Sequence, residues 1–91
     1  MKHYRTLKAK YLSPTNHKGS RIKITDEYFG QSIILPYSYE FGNTEEQVYY
    51  FLIENNFNVI GYGTCNKDYI FMCDNWETSS EKAIMLNDLK K

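Results

Sequence analysis

The chain has 91 residues and a mass of 10.8 kDa, which is room for one domain spanning 1–91 and excludes a second. A composition of 42% hydrophobic and 16% aromatic residues with 5 Gly and 2 Pro can build a core and excludes a disordered chain. The formal net charge of zero hides a segregation: positions 1–25 hold seven basic residues and no acid, a net +7, while positions 26–91 hold four basic residues against all 11 acids, a net −7.

In chain order, Leu7, Ala9 and Tyr11 alternate with Thr6, Lys8 and Lys10, which predicts a first strand over His3 to Tyr11. Ser13 to Ser20, reading SPTNHKGS, is a loop in which Pro14 fixes its own φ, Asn16 can bond its local backbone and Gly19 can take positive φ. Arg21 to Thr25 alternates again, with Ile22 and Ile24 on one face, so a hairpin follows. A third strand is expected from about Gln31 to Phe41, with Ile33, Leu35, Tyr37 and Tyr39 sharing a face and Pro36 marking an edge position or a bulge. Thr44 with Gln47 three residues later fits a capping box, so a helix is expected to start there and to bury Val48, Phe51 and Leu52. Asn55 and Asn56 fit a left-handed C-cap, with Phe57 folding back on the last turn. Phe57 to Tyr62 and Tyr69 to Cys73 read as a second hairpin around a polar turn at Thr64 to Asp68. Beyond it Trp76 reads as a plug at the end of the core, and residues 79–89 fit either a short helix or, at Ala83 to Leu86, an edge strand. The order β-β-β-α-β-β implies an α+β domain, a mostly antiparallel sheet with one helix packed on one face.

In the first hairpin Leu7, Ala9, Ile22 and Ile24 must face the helix, because a slip of one residue would bury four basic side chains instead. Lys8, Lys10, Arg21 and Lys23 then lie together outside, and with His17 and Lys18 in the loop they form a stripe suited to a phosphate backbone. The plainer reading is that solvated lysines keep an exposed face soluble and block edge pairing. A single-sign patch goes beyond what solubility needs. Nine tyrosines cannot all fit one small core; most are expected in cross-strand pairs, such as Tyr37, Tyr39 and Tyr69, and Tyr4, on the face of Lys8 and Lys10, is the candidate for stacking on a base. Acids at Glu40, Glu45, Glu46, Glu54, Asp74 and Glu77 make an opposite pole, with Glu45, Glu46 and Glu54 as candidate contacts to a basic partner.

Catalysis is not expected. His17 and Cys65 fall in separate turns with no spacing that implies proximity, and histidines and cysteines at positions 3, 17, 65 and 73 match no zinc pattern. Gly61 to Thr64 lacks the lysine and the following helix of a phosphate loop. No metal or other cofactor and no small-molecule substrate is expected. The apolar runs at Ile33 to Leu35 and Val48 to Ile53 are too short to span a bilayer, and no apolar stretch follows the first charges. With two cysteines that form neither a framework nor a Cys-x-x-Cys pair, a cytoplasmic location without a membrane partner is expected.

The segment Pro14-Thr15-Asn16, a variable residue, Lys18, then Gly19-Ser20-Arg21-Ile22 resembles the hallmark of a family of small proteins carried by phages, plasmids and integrated mobile elements. The resemblance is close over Ser13 to Ile24 and loose over the later tyrosine-rich strand, helix and hairpin. It implies a genomic setting and assigns no catalytic or binding residue. By analogy, such a protein acts on a host nucleic-acid-handling complex, as an anti-CRISPR or antirestriction inhibitor does. The alternative is a DNA- or RNA-binding accessory protein that uses the basic hairpin. A homo-oligomer joining basic pole to acidic pole is a third arrangement.

Overall fold

The computed structural model describes residues 4–73 together with Leu86. Its elements follow the expected order: β1 (Arg5–Leu12), β2 (Arg21–Asp26), β3 (Gln31–Pro36), α1 (Thr44–Glu54), β4 (Val59–Cys65) and β5 (Asp68–Cys73). The strands make one sheet in the spatial order β3-β2-β1-β5-β4, with every neighbouring pair antiparallel. The two hairpins therefore meet where β5 pairs with β1, and β1 is the central strand.

Alternation along the strands sets the faces. Leu7, Ala9, Ile22, Ile24, Ile33, Leu35, Phe71 and Cys73 are buried on the helix side, against Val48 and Leu52 of α1, Phe57 and Leu86. Each large aliphatic side chain taken fully from water contributes about 1.5–3 kcal/mol, so this stripe fixes the register. The pairs Ala9 with Ile24 and Lys10 with Lys23 put the apolar side chains inside and the lysines outside.

Several local expectations are corrected. Asn43, not Thr44, is the N-cap: its side chain accepts from the Glu46 amide at 2.9 Å, and Glu46 Oε2 accepts from the Gly42 amide at 3.3 Å. Thr44 is buried as the first helical residue. Gln47 turns away from the cap and ties the helix to the sheet, its Oε1 accepting from Ser38 N and its Nε2 donating to Pro36 O, both at 2.9 Å. At the other end Asn56 takes φ 69°, its amide donates to Ile53 O, and the Phe57 amide donates to Leu52 O at 2.9 Å. Because Phe57 closes the helix, β4 begins two residues later than the sequence suggests. The third strand stops at Pro36, leaving Tyr37 half-buried and Tyr39 84% exposed beyond it.

In the loop after β1, Thr15 supplies the order: Thr15 N donates to Lys18 O at 2.7 Å, and Thr15 Oγ1 accepts from the amides of His17 and Lys18. Neither Asn16 nor Gly19 takes positive φ. The second hairpin turns on Asn66 and Lys67, at φ 51° and 72°, the paired left-handed residues that match strand twist. Trp76, Asp74, Glu77 and the segment 79–89 apart from Leu86 lie outside the described residues.

Candidate nucleic-acid interface

The sheet face away from α1 carries the expected basic residues in rows. Lys8 lies opposite Thr25, Lys10 opposite Lys23, and Leu12 opposite Arg21. At roughly 3.4 Å per residue, successive rows on one face are about 7 Å apart, so the cations run along the hairpin toward Lys18 and His17, both exposed in the loop. Lys10 and Lys23 are exposed, and neither has an ion-pair partner among the described residues. Like charges directly opposite each other in a sheet are mutually destabilising. Arg21 is half-buried, and its Nε has no hydrogen-bond acceptor among the described residues. Ile34 lies beside Lys23 and Ile70 beside Lys8, so the charges stand on a partly apolar floor.

Folding also returns acids to this basic segment, which the division of charge along the chain does not reveal. Arg5 shares the parity of Leu7 and Ala9 and enters the core, where it pairs with Asp26 at 2.6 Å, both side chains fully buried. Its guanidinium carbon lies 5.0 Å from the centre of the Phe29 ring and 5.1 Å from that of Phe57. Lys8 reaches Asp68 of β5 at 3.5 Å.

Tyr4 lines a pocket of about 270 Å³ at the end of the basic face, with Lys8, Thr6, Thr25, Ile70, Glu27 and Tyr28. Tyr28 is 67% exposed. It is positioned by Asp26, whose Oδ1 accepts from the amides of Tyr28 at 3.1 Å and Phe29 at 3.3 Å while Oδ2 holds Arg5. One buried carboxylate thus fixes both the ion pair and the turn that carries Tyr28. The sequence singles out Tyr4 but not Tyr28, because proximity across the turn between β2 and β3 leaves no periodic trace. The pocket has an aromatic side chain from each of two segments, with one acid, Glu27, and one cation, Lys8, which is paired with Asp68; the two rings suit a planar base.

The acids expected on the other pole have distinct settings. Glu54 is exposed, Glu46 serves the helix cap, and the half-buried Glu45 acts on the Tyr69 hydroxyl. Hydrogen bonding to Glu45, then burial and the negative charge of Glu45, raise the Tyr69 pKa above its ordinary value. Tyr49, Tyr50 and Ile53 are exposed on the outer side of α1, with Phe41 stacked on Tyr50 at 5.6 Å. These residues fall outside the stripe of Val48, Phe51 and Leu52, which is the signal that could have found them. Tyr11, Tyr37 and Tyr39 pack edge to face at 5.6 and 5.0 Å, so Tyr37 and Tyr39 form a cluster past the end of β3 and not a cross-strand pair.

His17 stands in the loop between β1 and β2, and Cys65 ends β4, exposed. Among the described residues no group of three His, Cys, Asp or Glu is placed to hold a metal ion, and no helix is long and apolar enough to cross a membrane. Compared with models of protein families, with curated proteins and with solved structures, the chain matches none.

Proposed function

We propose that the protein is a small non-enzymatic binding protein of a phage or mobile element that acts in the cytoplasm on a host nucleic-acid-handling complex, holding nucleic acid on its helix-free sheet face. The observation that carries this reading is Lys10 directly opposite Lys23, with neither lysine in an ion pair among the described residues. A face that only had to stay soluble would interleave signs. An anionic backbone laid along Lys8, Lys10, Lys23, Arg21 and Lys18 turns their repulsion into attraction. The pocket of Tyr4 and Tyr28 at the end of this path takes an unpaired base, which favours single strands over duplex. The mobile-element setting rests on the resemblance over Pro14 to Ile22.

Salt-titrated fluorescence anisotropy against single-stranded DNA, duplex DNA and RNA of mixed sequence tests the reading. Neutralising five phosphates on a single strand gives a log-log slope of roughly −3.5. Lys10→Glu with Lys23→Glu should abolish binding in a folded protein. Unchanged affinity in that variant, or no binding at low salt, overturns the proposal.

A second reading is favoured by the outer side of α1, where Tyr49, Tyr50 and Ile53 are exposed among Glu45, Glu46 and Glu54. An anti-CRISPR or antirestriction inhibitor would set this acidic aromatic surface into the basic nucleic-acid channel of its target. Reversing Glu46 and Glu54 should relieve inhibition of such a complex, and retained inhibition excludes those residues.

A further inference from the structure

We propose that the free edge of β4, together with the groove between β4 and α1, docks an extended peptide segment of a protein partner, which adds to the sheet as a further strand and presents a lysine or arginine to Glu45. This goes beyond the readings above: the strand edge is used by neither, and the groove shares Glu45, Glu46 and Tyr49 with the acidic surface of the second reading without depending on its target.

The first observation is the edge itself. β4 pairs with β5 on one side and has no strand partner on the other among the described residues. Proteins usually guard such an edge with charges, proline or a bulge, because its unpaired amides and carbonyls recruit strands. β4 reads Val-Ile-Gly-Tyr-Gly-Thr-Cys, without a charge or a proline, and its one irregularity lies at its start, between Val59 and Gly61. β3, the opposite edge, ends in Pro36. Ile60 and Tyr62 are 45% and 52% exposed, so no described residue buries these side chains of β4.

The second observation is the groove, about 350 Å³, with Val59, Tyr62, Tyr49 and Phe71 as its apolar lining and Glu45 and Glu46 as its charges. Tyr62 lies over Phe71 at 5.4 Å, with the rings 28° from parallel. In an added strand alternate side chains point to one face, so one residue enters this apolar trough while its backbone pairs with β4. Glu45 Oε2 is buried and receives no hydrogen bond among the described residues. A buried carboxylate oxygen without a donor is an exception in folded proteins, and it fits a ligand that brings its own cation. The uncharged edge, the aromatic trough and the unbonded Oε2 of Glu45 specify an extended segment with an apolar or aromatic residue next to a basic one.

The test is amide-resolved NMR of the whole protein titrated with a short peptide, blocked at both ends, that alternates lysine with valine or tyrosine. Shifts confined to β4 and the first turns of α1 are expected, with none for the peptide in which glutamate replaces lysine. Glu45→Gln should weaken binding roughly tenfold or more, while Glu54→Gln, an acid on the same helix that does not line the groove, should bind as before. Ile60→Lys with Thr64→Lys, which guards the edge, should abolish binding in a protein whose spectrum stays dispersed. Equal binding of the glutamate peptide, indifference to Glu45→Gln, or shifts on the Lys10 and Lys23 face overturn the proposal. A dimer in sedimentation that disappears in the guarded-edge variant also overturns it, by making a second copy the occupant. Nucleic-acid anisotropy is read separately, so failure here leaves the basic face untouched.

Discussion

Arg5 and Asp26, 21 positions apart, meet at 2.6 Å with both side chains out of contact with solvent. The pair joins the first residue of the central strand to the last residue of β2, and Phe29 and Phe57 flank the guanidinium. Because Asp26 also holds the amides of Tyr28 and Phe29, its loss leaves a buried cation and an unsupported turn. Asp26→Ala should cost roughly 3–5 kcal/mol, read as a lower urea midpoint. Replacing both partners by apolar residues should recover only part of this, since the turn remains uncapped.

Stability and binding should move in opposite directions at Lys23. Lys23→Glu places an acid opposite Lys10 and should stabilise the free protein by about 0.2–1 kcal/mol while weakening nucleic-acid binding. Thermal unfolding and anisotropy on the same sample check both signs. A variant that loses stability together with binding would show that the lysine pair has a packing role instead.

The two parts of the proposed interface should separate in a salt titration. Tyr4→Ala or Tyr28→Ala should lower affinity by about 1–3 kcal/mol at unchanged salt slope, because stacking releases no counterion. Lys10→Gln should reduce the slope by roughly 0.7.

Tyr69 titrates above the 10.0 of a free tyrosine, first because its hydroxyl donates to Glu45, then because of burial and the adjacent negative charge. A pKa raised by folding means that the folded state favours the protonated phenol. The associated stability is complete below pH 10.0 and is lost as pH rises through the raised value. Glu45→Gln should bring the Tyr69 pKa back toward its ordinary value, followed by the NMR shift of its phenol carbon with Tyr69→Phe as the assignment control.

Two polar residues hold α1 at its start. Asn43→Ala should cost about 1 kcal/mol and Asn43→Gly only a few tenths, as befits an N-cap. Gln47→Ala should cost about 1–3 kcal/mol, because it leaves Ser38 N and Pro36 O without partners. Helical circular dichroism with urea unfolding separates the two, since Gln47 acts between layers and Asn43 within the helix.

Much of the fold was legible in the sequence because it follows from local periodicity. The alternation of Leu7 and Ala9 with Lys8 and Lys10, and of Ile22 and Ile24 with Arg21 and Lys23, placed the basic residues on the helix-free face, since burying four cations costs far more than any turn preference returns. Asn56 and Phe57 announced the helix end in the same way, through backbone geometry and one hydrophobic contact. The exchange of Thr44 for Asn43 at the cap was not legible, because neighbouring residues compete for that position and Gln47 was drawn to β3.

Only the tertiary structure decided which charges cancel. The residue types alone specify a basic segment of net +7, yet Arg5 shares the parity of the core and needed a partner from the end of β2, while Asp68 reached Lys8 only because β5 pairs with β1. The strand order β3-β2-β1-β5-β4 likewise left β4 at an edge of the described sheet and brought Tyr28 to the pocket of Tyr4. Such relations depend on contacts between distant segments, where burial and Coulomb energy act on distance in space, and spacing along the chain carries no record of them.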